Sequence, residues 1–182
     1  MFLTINSLNM IIKILKKWVP FEDYVFKTKL SVTEVYQRLS ANIEPDKPLR
    51  KYSSTFMPSK EYEGTITENN FSINRVINYQ NSFRPIISGT IENASGGTIV
   101  KVKMRLHTAV LIFMAYCCTF AGVFCTVILV NASDISAMNL GSLIPFVLFF
   151  GILGMTIGGF KVESTESRRF LQELLEAEVE AL

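Results

Sequence analysis

Two long apolar segments, at residues 108–132 and 142–160, dominate the pattern of hydrophobic and polar positions along the chain. Neither segment contains a charged side chain, and a short polar loop separates them. A helix of about 20 residues crosses a hydrocarbon core about 30 Å thick, and it satisfies its own backbone hydrogen bonds there. The pattern therefore predicts a transmembrane helical hairpin over residues 107–160.

Residues 20–106 show shorter patterns that are typical of a mixed domain. The period of hydrophobic positions predicts a helix over 31–43, where Ser31 and Glu34 have the spacing of a capping box. A period of two predicts strands at 23–30, 52–57, 62–68, 71–79, 85–93 and 98–106. The last of these strands should place one set of side chains in a core: Thr98, Val100, Val102 and Met104.

The predicted fold is therefore an α+β membrane protein. Residues 20–106 form a cytoplasmic domain with one helix and an antiparallel β-meander, which we expect to curl toward a half-barrel. Turn residues between alternating runs, Asn69-Asn70 and 95–97, predict hairpins between neighbouring strands.

The two ends of the chain are predicted to be amphipathic helices. Residues 1–19 combine apolar positions with three lysines, which indicates an interfacial helix; alternatively, translation starts at Met10 and the first residues do not belong to the protein. Residues 161–182 carry leucines opposite glutamates, which predicts a separate C-terminal helix beginning near Ser164.

The distribution of charge predicts the orientation of the hairpin. Basic residues flank its two ends, namely Lys101, Lys103, Arg105, Lys161, Arg168 and Arg169. The loop between the spans, residues 131–141, contains no Lys or Arg. The positive-inside rule then places both termini in the cytoplasm. The net charge of +2 is too small to indicate nucleic acid as a partner.

The sequence contains no recognisable catalytic or metal-binding pattern. His107 is the only histidine, and the three cysteines all fall within the first span without metal-ligand spacing. There is no phosphate-binding glycine loop and no nucleophile with a base and an orienting group. We therefore expect no enzymatic activity, no catalytic residue, no metal and no cofactor.

Five basic residues are candidate contacts to an anion or a lipid headgroup: Arg75, Arg84, Lys101, Lys103 and Arg105. The first two flank a segment rich in amides and hydroxyls, and two guanidinium groups there could hold a phosphate bidentately. The alternative interpretation is a tight turn whose side chains satisfy backbone groups. The other three precede the first span, where they favour anionic lipid.

Glycines at helical spacing, Gly151, Gly154 and Gly158, form a candidate helix-packing face on the second span. Such a face serves either to join two copies of the chain or to pack against the first span, which offers small residues such as Ala121 and Gly122. We favour packing within the hairpin.

Three segments carry a resemblance to a known family: YEGTITENNFSINRVINYQNSFRPIISGTI, GGTIVKVKMRLH and FKVESTESRRFLQELL. They resemble a family of small uncharacterised bacterial two-span membrane proteins, over most of residues 21–175. The resemblance implies a multi-pass protein of the prokaryotic inner membrane and implies no activity.

The leading functional hypothesis is a membrane-anchored, non-enzymatic binding or scaffold module that uses its sheet as a platform. Its partners would be the bilayer, including anionic lipid, an unidentified ligand and further copies of the chain. The alternative is an oligomeric pore or membrane-perturbing effector, with Thr119, Thr126 and Thr156 lining a narrow lumen.

Overall fold

A computed structural model describes residues 20–46, 59–76, 83–131 and 140–181. Its elements in chain order are β1 (Phe21–Thr28), α1 (Val32–Asn42), β2 (Ile43–Pro45), β3 (Tyr62–Ile66), β4 (Asn70–Arg75), β5 (Pro85–Ala94), β6 (Gly97–Leu106), α2 (Thr108–Asn131), a 3-10 turn (Leu140–Leu143), α3 (Ile144–Leu175) and β7 (Glu178–Ala181). The predictions of a helix over 1–19 and of a strand at 52–57 lie outside the described residues.

The strands form one mixed, seven-stranded sheet in the order β2-β3-β4-β5-β6-β1-β7. Strands β3 to β6 make the antiparallel meander that alternation predicts. Two features were not predicted: β2 pairs with β3 in parallel, and β1 lies between β6 and β7. Because β2 and β7 are the edges, the described strands form an open sheet.

Helix α1 begins and ends where its residues predict. The Ser31 hydroxyl accepts a hydrogen bond from the Glu34 backbone N–H, and the Glu34 carboxylate accepts one from the Ser31 backbone N–H. This reciprocal cap satisfies two donors that the first turn would otherwise leave free. The helix buries Val35 and Leu39 against the sheet.

Both α1 and the C-terminal half of α3 pack on the same face of the sheet. In β6 the predicted core residues Thr98, Val100, Val102 and Met104 are buried, which confirms the predicted orientation of that strand. On the opposite face the side chains of Ser88, Thr90, Lys101 and Lys103 are exposed. No described element covers the middle of that face, so the domain has two layers and one open sheet face.

Helix α3 is the main correction to the predicted organisation. It continues for 32 residues, from the second apolar segment through the charged sequence that follows, which corresponds to about 48 Å. The prediction of a separate C-terminal helix over 161–182 is therefore wrong. The helix continues because no Pro or other helix-breaking residue follows Phe160. The Ser164 hydroxyl donates to the Lys161 carbonyl oxygen within the helix instead of capping a new one.

The last described residues form a strand and not the end of a helix. Glu176 adopts a left-handed conformation with φ of 48°, which ends α3. Residues Glu178–Ala181 then pair antiparallel with β1. The Thr28 hydroxyl donates to the Leu175 carbonyl oxygen at 2.7 Å, so the end of the helix is bonded to the strand beside it.

Helices α2 and α3 form an apolar hairpin beside the domain, and each is long and apolar enough to cross a membrane. Only 11% of the residues in each apolar window are buried within the structure. The contact between the two helices includes Met114, Ala121 and Thr156, which are buried. The Thr156 hydroxyl donates to the Ile152 carbonyl oxygen at 2.8 Å, and its oxygen lies 3.4 Å from the Met114 sulfur. Many of the other apolar side chains are exposed, among them Ile112, Phe113 and Val147.

A close approach in the sheet explains why position 89 is glycine. A Cβ atom added to Gly89 would lie 2.2 Å from Cζ of Phe71, which stands on the neighbouring strand in register with it. The Phe71 ring is buried and belongs to the core.

We expect Gly89→Ala to destabilise the domain by about 1–3 kcal/mol, because the added methyl group displaces the Phe71 ring from a packed core. The midpoint of thermal unfolding of the detergent-solubilised chain measures this effect. Ser88→Ala, which changes the neighbouring exposed position, is the matched control. An unchanged midpoint for Gly89→Ala would show that the core accommodates the methyl group.

Candidate functional site

Two polar clusters join the sheet to α3, and the first of them is a buried ion pair. Nη1 of Arg75, at the end of β4, lies 3.1 Å from Oε2 of Glu163, whose side chain is only 1% exposed. The Arg84 guanidinium donates to the Arg75 carbonyl oxygen at 3.2 Å. The structure therefore brings the two predicted anion contacts together, but the charge of Arg75 is already paired with a carboxylate of the same chain.

An aromatic contact extends this ion pair along α3. The Tyr62 ring stacks on Phe170 with 4.1 Å between ring centroids, and its hydroxyl donates to Oγ of Ser167 at 3.3 Å. Burial raises the pKa of Tyr62, although the hydrogen bond with Ser167 and the nearby charge of Arg75 act in the opposite direction. The phenol is thus held neutral, as a donor that orients the helix.

A second polar cluster joins β1 to the opposite side of α3. The Lys161 ammonium pairs with the Glu22 carboxylate, and the Tyr24 hydroxyl donates to the same carboxylate at 2.6 Å. The Arg168 guanidinium lies over the Tyr24 ring, 5.6 Å from its centroid. Lys161, Ser164 and Arg168 follow one another at helical spacing, so one stripe of α3 serves this cluster.

The electrostatics of this cluster favour a charged Glu22 and a neutral Tyr24. Burial alone would raise the pKa of Glu22, but hydrogen bonds from Lys161 and Tyr24, together with the positive charge of Lys161, outweigh it, so that pKa lies below its ordinary value. Burial, together with the hydrogen bond to the Glu22 carboxylate, raises the pKa of Tyr24. The cluster holds a fixed set of charges, which suits a positioning role.

The two clusters fix α3 on the sheet from both sides. Arg75 holds it from β4, and Glu22 holds it from β1. A buried ion pair adds little net stability because its ions lose their hydration, but an unpaired partner is costly. A rotation or shift of α3 would leave buried charges unpaired, so the clusters specify one position of the helix.

The predicted anion contacts of β6 have different environments. Nη2 of Arg105 lies 2.7 Å from Oδ1 of Asp23, and Nζ of Lys101 contacts both carboxylate oxygens of Glu92 at 2.8 and 2.7 Å. Lys103 is exposed on the open sheet face and forms no ion pair within the described ranges. Lys103 is thus the predicted contact best placed to meet a ligand.

The open sheet face contains a groove of about 420 Å³. The sheet register places Ser72 opposite Ser88, and Ser88 opposite Lys103, in one row across β4, β5 and β6. Thr65 continues that row on β3. Sequence analysis identified Lys103 but missed the hydroxyl residues, because exposed Ser and Thr at alternate strand positions are also typical of a solvated face.

The predicted glycine face does not pack against the first span. A Cβ atom added to Gly151, Gly154 or Gly158 would meet no heavy atom within 4 Å. The inward face of α3 instead contains Thr156 and Phe160 and continues into the residues that contact the sheet. Packing within the hairpin is therefore wrong for these glycines, because the sheet contacts fix the rotation of the helix and leave the glycines outside.

The polar groups of the hairpin are bonded within it. The hydroxyls of Thr119 and Thr126 donate to the carbonyl oxygens of Ala115 and Gly122, one turn earlier. At the start of α2, Nδ1 of His107 accepts a hydrogen bond from the Ala109 backbone N–H at 3.2 Å. His107 thereby satisfies one of the free donors of the first helical turn, a role that its position alone did not reveal.

Within the parts of the chain that the structure describes, no group of three or more His, Cys, Asp or Glu side chains could hold a metal ion. No protein-family model, curated protein or solved structure matches this chain. The resemblance to the bacterial two-span family and the expectation that the protein is not an enzyme therefore stay predictions.

We expect Glu163→Gln to destabilise the folded chain by about 2 kcal/mol, because it leaves the Arg75 charge partly buried without its carboxylate. Thermal unfolding in detergent measures the loss. Glu166→Gln, one turn away and in an exposed pair, is the matched control and should have little effect. The double variant Arg75→Met, Glu163→Met should recover most of the stability. No recovery would show that Glu163 acts through other contacts.

The lowered pKa of Glu22 predicts a dependence of stability on acid pH. Its charged form stabilises the fold above the ordinary pKa of 4.5, and this contribution is lost as the pH falls through the lower folded-state value. The Glu22→Gln variant has no carboxylate to protonate at this position. Its free energy of unfolding should therefore fall less steeply below that pH. Circular dichroism of acid-induced unfolding measures both slopes, with Glu178→Gln as a control for removing one carboxylate. Equal slopes for Glu22→Gln and the unsubstituted chain would contradict the prediction.

Proposed function

We propose that the protein is a membrane-anchored, non-enzymatic binding module that holds an open sheet face at a fixed position beside the bilayer. The observation that supports this best is the continuity of α3, which includes an apolar segment in its first half and the sheet contacts in its second half. The binding surface is the open face, since the other face of the sheet is occupied by α1 and α3.

The exposure of the hairpin favours a bilayer over water as its surroundings. Ile112, Phe113, Tyr116 and Phe120 are each between 58% and 69% exposed, and the outward side of α3 is equally apolar. A soluble protein rarely exposes apolar patches of more than a few hundred Å². A long apolar helix in a soluble core would be mostly buried, whereas these helices are not.

The positions of the charged residues support the predicted orientation. Arg105 and Lys161 mark the ends of the hairpin nearest the sheet, and both are engaged with β1 there. The loop at the far end, residues 131–141, contains no Lys or Arg. We therefore propose that the sheet and both termini are cytoplasmic and that the membrane is the inner membrane of a prokaryote.

Rigid attachment is what distinguishes this module from a tethered domain. Only His107 separates β6 from α2, and α3 enters the domain without a break. Two buried polar clusters then hold α3 against the strands. A ligand on the open face would thus be held at a set distance from the membrane, which a flexible linker would not achieve.

The oligomeric pore is the alternative proposal. The outward position of Gly151, Gly154 and Gly158 favours contact between copies of the chain. However, the threonines expected to line a lumen donate their hydroxyls to the backbone of their own helices, and Thr156 is buried inside the hairpin. The polar lining that a pore needs thus lacks support, whereas an oligomeric anchor remains compatible with the module.

Labelling of single cysteines tests the proposed placement. In a chain whose three native cysteines are replaced by alanine, Ser95→Cys lies in the exposed turn between β5 and β6, and Ser136→Cys lies in the loop between the spans. We expect a membrane-impermeant maleimide to label Ser136→Cys on intact cells and to label Ser95→Cys only after lysis. The reverse pattern would overturn the orientation, and labelling of both on intact cells would overturn the two-span anchor.

A further inference from the structure

We propose that the groove on the open sheet face binds a soluble molecule that carries one phosphate group on a sugar-sized body. This inference rests on the proposed function, because it names the ligand of the same face. The groove occupies about 420 Å³, which is within the range of small-molecule sites, about 300–1,000 Å³.

Most of the side chains that line the groove can donate hydrogen bonds. Five are hydroxyls, from Thr65, Thr67, Ser72, Ser88 and Thr90. The Thr67 hydroxyl already donates to the Asn70 carbonyl oxygen at 2.9 Å, so the other four are the ones that can donate to a ligand. No carboxylate is among the described residues of the lining. A surface of this kind is complementary to a ligand that is rich in acceptor oxygens, which phosphate esters and sugars provide.

The charge of the groove limits the charge of its ligand. Two lysines, Lys101 and Lys103, contribute to the lining. Lys101 is held by both carboxylate oxygens of Glu92, so its charge is largely neutralised and its position is fixed. Among the described residues of the lining, Lys103 is therefore the one lysine without an ion pair, since Asp23, which lies opposite it on β1, pairs with Arg105. One such charge matches a single phosphate better than a polyanion such as nucleic acid.

The remaining lining suits the body of the ligand and not its charge. Phe71 and Gly89 lie between the hydroxyl residues of the neighbouring strands, and the Phe71 ring itself is buried in the core beneath them. They contribute no charged group, so the hydroxyls around them decide which polar ligand fits. Hydroxyls at alternate positions of adjacent strands are within reach of several oxygens of one sugar ring.

The distance from the hairpin favours a soluble ligand over a lipid headgroup. Lys103 lies five residues before Thr108, where α2 begins, which corresponds to about 17 Å along an extended strand. Ser88 and Ser72 share its row in the sheet. The headgroup region is only about 5–8 Å thick on each side of the hydrocarbon core, so a strand that runs along the membrane normal places this row beyond the normal depth of a lipid phosphate.

Calorimetric titration of the full chain in phosphatidylcholine nanodiscs tests the inference, with glucose 6-phosphate and glucose as probes. We expect saturable binding of glucose 6-phosphate and at least about tenfold weaker binding of glucose, because only the first pairs with Lys103. Lys103→Gln should weaken binding of glucose 6-phosphate about tenfold, and Ser88→Val should weaken binding of both sugars. Lys29→Gln removes an exposed lysine outside the groove and is the matched control.

Three results would overturn the inference: no saturable binding of glucose 6-phosphate, equal affinities for the two sugars, or full affinity after Lys103→Gln. A further arm replaces phosphatidylcholine by phosphatidylglycerol vesicles without sugar. If Lys103-dependent binding occurs only with the phosphatidylglycerol vesicles, the phosphate belongs to a lipid headgroup. That result would overturn the proposal of a soluble ligand.

A measurement of access to the groove distinguishes failure of the proposed ligand from failure of the proposed function. Ser88→Cys, in the chain without native cysteines, should react with a soluble maleimide in detergent and in nanodiscs. A reactive cysteine without sugar binding would overturn only the ligand class. An unreactive cysteine would show that the face is covered, and it would overturn the binding face together with its ligand.

Discussion

The contact between α3 and the sheet is the constraint on which the rest of the structure depends. Glu163 is almost completely buried in this contact, so its charge requires Arg75 at a fixed place on β4. On the other side, Glu22 requires Lys161. The two pairs oppose rotation of the helix in either direction, and a helix without a break carries that constraint into the apolar hairpin. The position of the hairpin is thus set by charges that lie outside it.

This constraint explains the arrangement of the hairpin better than the residues of the hairpin do. Apolar helices in lipid gain no hydrophobic stabilisation from packing on one another, so small residues and polar contacts normally decide which faces meet. Here the sheet fixes the face of α3 that contains Thr156, and Met114 of α2 meets it. The glycines point away as a consequence. Their spacing is a local property of the sequence, whereas the direction they face is decided further along the helix, where Lys161 and Glu163 contact the sheet.

The elements that sequence analysis predicted well are those with local causes. The alternation of β6, the cap of α1 and the uncharged length of the hairpin each follow from residues within one segment. The features that it missed depend on distant partners. The glutamate-rich residues of β7 have a helical pattern, and they form a strand because the edge of β1 lies beside them. β2 is parallel to β3 because α1 crosses the sheet from β1 and places the next strand at the edge beside β3. The partner of Arg75 could not be found from the sequence, since Glu163 lies 88 positions away and meets it only because of how α3 lies on the sheet.

The open face of the sheet is not uniform, and its variation supports a specific use for one part of it. Toward β1 and β7, charges alternate in sign and pair across strands, as in Arg105 with Asp23 and Lys27 with Glu180. Such pairs satisfy a solvated surface and leave little to attract a ligand. Over β4 and β5 the equivalent positions Ser72, Ser88 and Thr90 carry hydroxyls, and charge pairing on this face is confined to Glu92 with Lys101 among the described residues there. The hydroxyl-rich half therefore leaves the most hydrogen-bonding groups for a ligand, and the proposed recognition depends on those groups.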